Sequence, residues 1–151
     1  MKWDRMTAIA SRSGQLGTVC LIRHDLLHWE MSVKYARSPE LAATYAKKMI
    51  DRFEPDIFVC ENLTTAHRKS SRTKGILKSL SEVAETSKTQ AVTIGRIQRH
   101  PSKQVEAVHI AKRHPALARY VPPPRRVFDD EPRAYVLFEA IALAEEAALM
   151  Q

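Results

Sequence analysis

The chain reads as an α/β sandwich: a mixed five-stranded sheet, three antiparallel strands followed by two parallel ones, with helices on both faces. Three observations predict it. Residues 6 to 33 alternate as extended segments broken by turn residues, two short continuous apolar runs follow, and those runs alternate with stretches of helical period. At 151 residues the length is that of a single domain spanning 1–151.

The extended segments are "MTAIAS", "QLGTVCLI" and "LLHWEMSV", with turns expected at Ser13-Gly14 and His24-Asp25. Ser38-Pro39-Glu40 supplies an N-cap, a proline at the first helical position and an early acid. Leu41, Ala42, Tyr45, Ala46, Met49, Ile50 and Phe53 then recur at helical spacing, and Glu54-Pro55-Asp56 stops the helix. "IFVC" is short, continuous and apolar, as a strand covered on both faces is. Ile76, Leu77, Leu80, Val83 and Ala84 mark a second helix, and "AVTIG" at 91 to 95 a fifth strand, so that strand, helix, strand implies a parallel crossover. A third helix is expected from Ser102 to about Pro115, then a stiff extended "VPPPRR". The last helix is expected to start at Asp129-Asp130-Glu131-Pro132 and to run through "RAYVLFEAIALAEEAALM".

Composition narrows the function classes. No segment approaches the roughly 18 consecutive apolar residues of a membrane span, and the first residues lack the apolar core of a signal peptide. Cys20 and Cys60, each in an apolar run, read as buried thiols of a cytoplasmic protein. The net charge of +7 and pI near 9.6 favour an acidic partner, with nucleic acid the foremost. No glycine-rich phosphate loop, zinc spacing or nucleophile elbow is present. His28 and His109 fall in apolar patterns and read as packed residues. Trp3 and Trp29 read as packing rather than base-stacking platforms.

The segment "DIFVCEN" carries a buried-looking strand straight into Glu61, and five residues later "HRKSSRTKGILK" begins. Between Asn62 and Ser81 there is no acid, while Arg68, Lys69, Arg72, Lys74 and Lys78 all fall in that window. Lys74 and Lys78 are i,i+4 neighbours whose like charges repel unless an anion lies across them, and the helix start near Ser70-Ser71 adds backbone donors. Arg96, Arg99, His100, Lys103, Lys112 and Arg113 form a second set, with Arg125, Arg126 and Arg133 at the linker and last helix. One cationic groove around Glu61 is the expectation; a solvated basic face is the alternative. Glu139 sits among Tyr135, Val136, Leu137, Phe138, Ala140, Ile141, Ala142 and Leu143, so it either faces a cleft or goes unpaired at a cost. The plainer readings are a solvated strand-end acid for Glu61 and the polar face of a helix for Glu139.

Three stretches, "DRFEPDIFVCEN", "AVHIAKRHPALARYVPPPRR" and "FEAIALA", in this order and spacing, resemble the ribonuclease H-like superfamily in its RuvC-type (Holliday-junction resolvase-like) branch. The similarity spans nearly the whole chain. It implies a metal-dependent nuclease fold, Mg²⁺ or Mn²⁺ held by a first-strand Asp, a fourth-strand Glu and acids on the last helix, a nucleic-acid partner, foremost DNA, and a homodimer. Glu61 matches the strand-ending Glu and Glu139 the helical acid; both are candidate catalytic and metal-binding residues. Ala10, however, falls where the metal-bridging Asp belongs, and Val136 where several members carry a further acid.

Other acids are not expected to substitute. Asp4 lies about 20 Å from Ala10 along an extended strand, Asp25 lies at the other end of the sheet, and Asp129, Asp130 and Glu131 would need an unusual path. The expectation is a nucleic-acid-binding protein lacking standard two-metal activity. The alternatives are an active Mg²⁺-dependent endonuclease on structured DNA and an assembly subunit meeting an acidic protein.

Overall fold

The computed structural model describes residues 3–12, 14–66, 69–124 and 131–150. The expected turn residue Ser13, the cation Arg68, and Arg125, Arg126, Asp129 and Asp130 lie outside the described residues.

Among the described residues five strands form one sheet in the order β3-β2-β1-β4-β5. The first three, β1 (Arg5–Arg12), β2 (Gln15–Ile22) and β3 (Asp25–Ser32), make an antiparallel meander; β4 (Ile57–Glu61) and β5 (Gln90–Ile94) extend it in parallel beyond β1. The β2–β3 turn falls one residue earlier than the sequence suggests. Arg23 and His24 both have positive φ, 50° and 75°, because a two-residue hairpin between right-twisted strands requires that hand. Asp25 therefore opens β3 instead of sitting in the turn.

Among the described residues four α-helices flank the sheet: α1 (Pro39–Phe53), α2 (Ser71–Thr86), α3 (Lys103–Arg113) and α4 (Tyr135–Ala148). Ser38, Ser70 and Ser102 cap the first three, accepting from the backbone N–H of Leu41, Thr73 and Val105. Side chains alternate across the strands, so Ile9, Leu16, Phe58 and Cys60 pack under α1 and α2. Ala8, Ala10, Ile57 and Val59 pack under α3 and α4 on the opposite face.

The expected start of the last helix at Asp129 is corrected. Glu131 and Pro132 are irregular, Arg133 and Ala134 turn, and the helix begins at Tyr135 without a side-chain cap. Glu131 spends its carboxylate on Arg12 and Lys103 instead of on helix N–H groups.

The site end of α4 lies unusually close to the sheet. A Cβ at Gly17 would stand 2.6 Å from the Val136 carbonyl oxygen, and Gly17 pairs with Ala10 on the neighbouring strand. Two small residues thus let the helix backbone descend onto β1 and β2. Glu139, one turn on from Val136, is carried down with it.

Trp3 is buried in the core, and Trp29 packs against it half-exposed. His28 hydrogen-bonds Glu30 and lies against the Phe53 ring; His109 stacks on His100 with ring centroids 4.5 Å apart. Both cysteines are free and buried, and burial pushes each thiol up to about 11. No described helix is long and apolar enough to cross a membrane.

Candidate functional site

Parallel pairing of β4 with β1 ends at Cys60 opposite Ile9, so the next pair of positions is Glu61 beside Ala10. By strand alternation Glu61 shares its face with Val59, Ala10 and Arg12, the face that α4 covers. Glu139 looks onto that same spot from above. Both acids are nearly inaccessible, at 2% and 1% exposure.

Between them stands Lys69. Its Nζ lies 3.2 Å from Glu61 Oε2, donates to Glu139 Oε1 and donates at 2.7 Å to the Ser11 carbonyl. The Glu61 contact is Coulombic without hydrogen-bond alignment: Oε2 is buried and accepts no hydrogen bond from any described residue. Glu139 has a second cation, Arg12, which donates from Nη1 to Oε2 at 3.3 Å. The other guanidinium nitrogen, Nη2, donates to Glu131, and Lys103 reaches the opposite oxygen of Glu131 at 2.5 Å.

The electrostatics of the two acids diverge. Burial raises the pKa of Glu61, Lys69 offsets this in part, and the neighbouring Glu139 carboxylate adds to the rise. Burial works against Glu139 as well, but Lys69, Arg12 and Arg96 together outweigh it and hold this carboxyl below its ordinary value. Glu131 is likewise held low, the ion pairs with Lys103 and Arg12 overcoming its burial.

Around this floor opens a cleft of about 480 Å³, lined by Arg12, Glu61, Thr65, Ala66, Lys69, Arg96, Gln98, Lys103 and Glu139. Arg96 pairs with the buried Glu106 at 2.7 Å. Its four cations, Arg12, Lys69, Arg96 and Lys103, therefore each meet a carboxylate.

The cations named from the sequence separate into groups. Lys69, Arg96 and Lys103 line the cleft. Arg99 and Arg113 lie about two helical turns further along α4, paired with Glu146 and Glu145 at 2.7 and 2.8 Å. Arg72 donates to the Arg37 carbonyl. Lys78, Lys112 and Arg133 are exposed and Lys74 is half-exposed; these four have no carboxylate partner among the described residues.

Sequence reasoning missed Arg12 and Glu131. Arg12 carried a usable signal, since it stands two residues beyond Ala10 on the same strand face. Glu131 precedes α4 and is not expected at the cleft; in the structure the helix starts at Tyr135, and Glu131 pairs with Arg12 and Lys103, both of which line it.

A pair of divalent ions does not fit these residues. Two-ion hydrolysis needs several oxygen ligands bridging ions about 4 Å apart, whereas among the described residues two acids line the cleft, and an ammonium and a guanidinium already meet them. Among the described residues no group of three or more His, Cys, Asp or Glu side chains is placed to hold an ion.

No family model matches the chain, and no curated protein matches it by sequence. Solved structures do. Thermus thermophilus RuvC in complex with a Holliday junction substrate superposes with a TM-score of 0.64 at 15% identity, covering 97% of this chain and 96% of that one. A second Thermus thermophilus RuvC structure gives 0.54 at 14% identity, covering 96% of each chain. Fowlpox virus resolvase, in complex with substrate Holliday junction DNA, gives 0.57 at 11% identity, covering 97% of this chain and 99% of that one. The chain has the RuvC-type, ribonuclease H-like fold.

Proposed function

We propose that this chain, built on the RuvC-type fold, binds DNA, branched DNA foremost, and does not hydrolyse it by the two-metal route. The single observation that carries the reading is the placement of Lys69 and Arg12 on Glu61 and Glu139. A two-ion mechanism uses the metals both to activate the attacking water and to stabilise the leaving oxygen. Protein cations that are already spent on the acids do neither. The position beside Glu61 on β1 is Ala10, which offers no oxygen to bridge two ions.

Binding is the part of the chemistry that these residues support. The chain carries a net charge of +7, and Lys74, Lys78 and Arg133 form no ion pair among the described residues. Lys74 and Lys78 follow the start of α2, whose free N–H groups favour a phosphate at the same place. Such contacts hold the backbone irrespective of sequence and weaken steeply with salt. The homodimer implied by the resemblance belongs to the same proposal and is read from sedimentation of the free chain.

The test is a gel-shift titration of a four-way junction and a linear duplex across salt concentrations, run beside a cleavage assay with Mg²⁺ or Mn²⁺. The expected result is salt-sensitive binding without strand scission. Cutting that disappears in Glu61→Gln would establish an endonuclease instead. Absence of binding at low salt would leave the basic surface to an acidic protein.

A further inference from the structure

We infer that the Lys69 ammonium occupies a cation site built by this chain, and that removing the ammonium converts that site into one for a single divalent ion. The inference deepens the reading of the same cleft. It is decided by cation binding to the free chain, whereas the reading above is decided by DNA binding and cleavage.

The argument starts from the shell around Nζ. Three oxygens of different origin meet there: a carboxylate oxygen at the end of β4, one from the middle of α4, and the Ser11 backbone carbonyl of β1. All are hard donors, the set that Mg²⁺, Mn²⁺ and Ca²⁺ prefer over nitrogen or sulfur. The site is fixed by the sheet and by a helix seated on it, so it does not need Lys69 in order to exist. Glu61 and Ser11 lie at the ends of adjacent strands, each just past the last paired positions of β4 with β1, and the close approach at Gly17 sets the height of Glu139.

Lys69 is the only one of these groups that comes from a loop, the segment between β4 and α2. The shell also fits an ammonium incompletely. Glu61 is 2% exposed, and its buried Oε2 faces Nζ at 3.2 Å and accepts no aligned hydrogen bond from a described residue. Three N–H bonds point in fixed directions, whereas a metal ion makes no such demand and completes its shell with water. Without Lys69 the two buried carboxylates keep only Arg12, on the far oxygen of Glu139, and either a proton on Glu61 or a divalent ion between them relieves their repulsion; Mn²⁺ competes with that proton.

The experiment compares wild type, Lys69→Met, which keeps the aliphatic stem and loses the charge, and Lys69→Met/Glu61→Gln. Mn²⁺ is the probe, followed by electron paramagnetic resonance of free Mn²⁺ and by Tm with and without the ion. Lys69→Met is expected to bind one Mn²⁺ at least about tenfold more tightly than wild type and to gain Tm when Mn²⁺ is added. The double variant is expected to lose that gain. Should Lys69→Met fail to fold alone, refolding with Mn²⁺ but not with Na⁺ at equal ionic strength supports the site, and failure in both counts against it. Equal Mn²⁺ affinity in wild type and Lys69→Met, or a gain that survives in the double variant, overturns the inference.

Discussion

Ionising Glu139 places a charge between two cations, Lys69 and Arg12, whereas ionising Glu61 places one that meets Lys69 alone and without an aligned hydrogen bond. The two substitutions to glutamine therefore differ. Glu139→Gln leaves Arg12 and Lys69 short of their shared anion and is expected to cost about 3 kcal/mol at neutral pH, as removal of one partner of a buried pair does. Glu61→Gln removes a charge that its surroundings disfavour and is expected to cost less than about 1 kcal/mol. Urea unfolding measures both. Their pH dependence has opposite sign. Glu139 has a folded pKa below its unfolded value, so its contribution is present above the ordinary carboxylate range and fades as pH falls through the folded pKa. Glu61 has a raised folded pKa, so its ionisation costs stability as pH rises above the unfolded value, and Glu61→Gln gains on wild type over that interval. A Glu61→Gln variant that loses ground to wild type as pH rises would contradict this account.

At the scale of elements, the cleft depends on how low α4 rides and on where α2 begins. Gly17→Ala would set a Cβ against backbone, which cannot rotate aside. Overpacking of this kind costs about 1–3 kcal/mol, which at this chain length is a fall in Tm of several degrees. Because Glu139 is one turn from the collision, its approach to Lys69 is expected to loosen too, visible as altered acid unfolding beyond what the fall in Tm accounts for. The start of α2 matters for a different reason. Ser70 accepts from the Thr73 N–H and directly follows Lys69. Ser70→Ala is expected to cost about 1 kcal/mol and to raise hydrogen exchange in the first turn of α2. The serine caps and Pro39 are legible in the sequence because capping is local chemistry. The start of α4 is not: Asp129-Asp130-Glu131-Pro132 has the composition of a helix start, but Glu131 is drawn away by Arg12, 119 residues distant in sequence.

For the molecule as a whole, the useful distinction is between cations that are spent and cations that are free. Arg99 and Arg113 each grip one carboxylate, that of Glu146 and Glu145, through two hydrogen bonds, so they add little net field outward. If the proposed DNA binding holds, Lys74→Ala with Lys78→Ala is expected to reduce the slope of log affinity against log salt by about 0.9 for each phosphate that is no longer neutralised. Arg99→Ala or Arg113→Ala is expected to leave that slope nearly unchanged, and gel shifts at four or five salt concentrations separate the cases. The expectation of one groove around Glu61 gives way to this division because sequence shows where the cations are but not which carboxylates face them.

The sequence by itself determined the strand and helix order, the burial of Cys20 and Cys60, and the place of Glu61 at the end of an interior strand, since periodicity, capping and alternation act over a few residues. Only the tertiary structure decided that Lys69 stands between Glu61 and Glu139 and that Arg12 joins Glu139 to Glu131. The hydrogen bonds that make the cleft span 58, 70, 119 and 127 positions. They exist because sheet pairing and the seating of α4 on small residues fold those distances to nothing, and no local pattern records them.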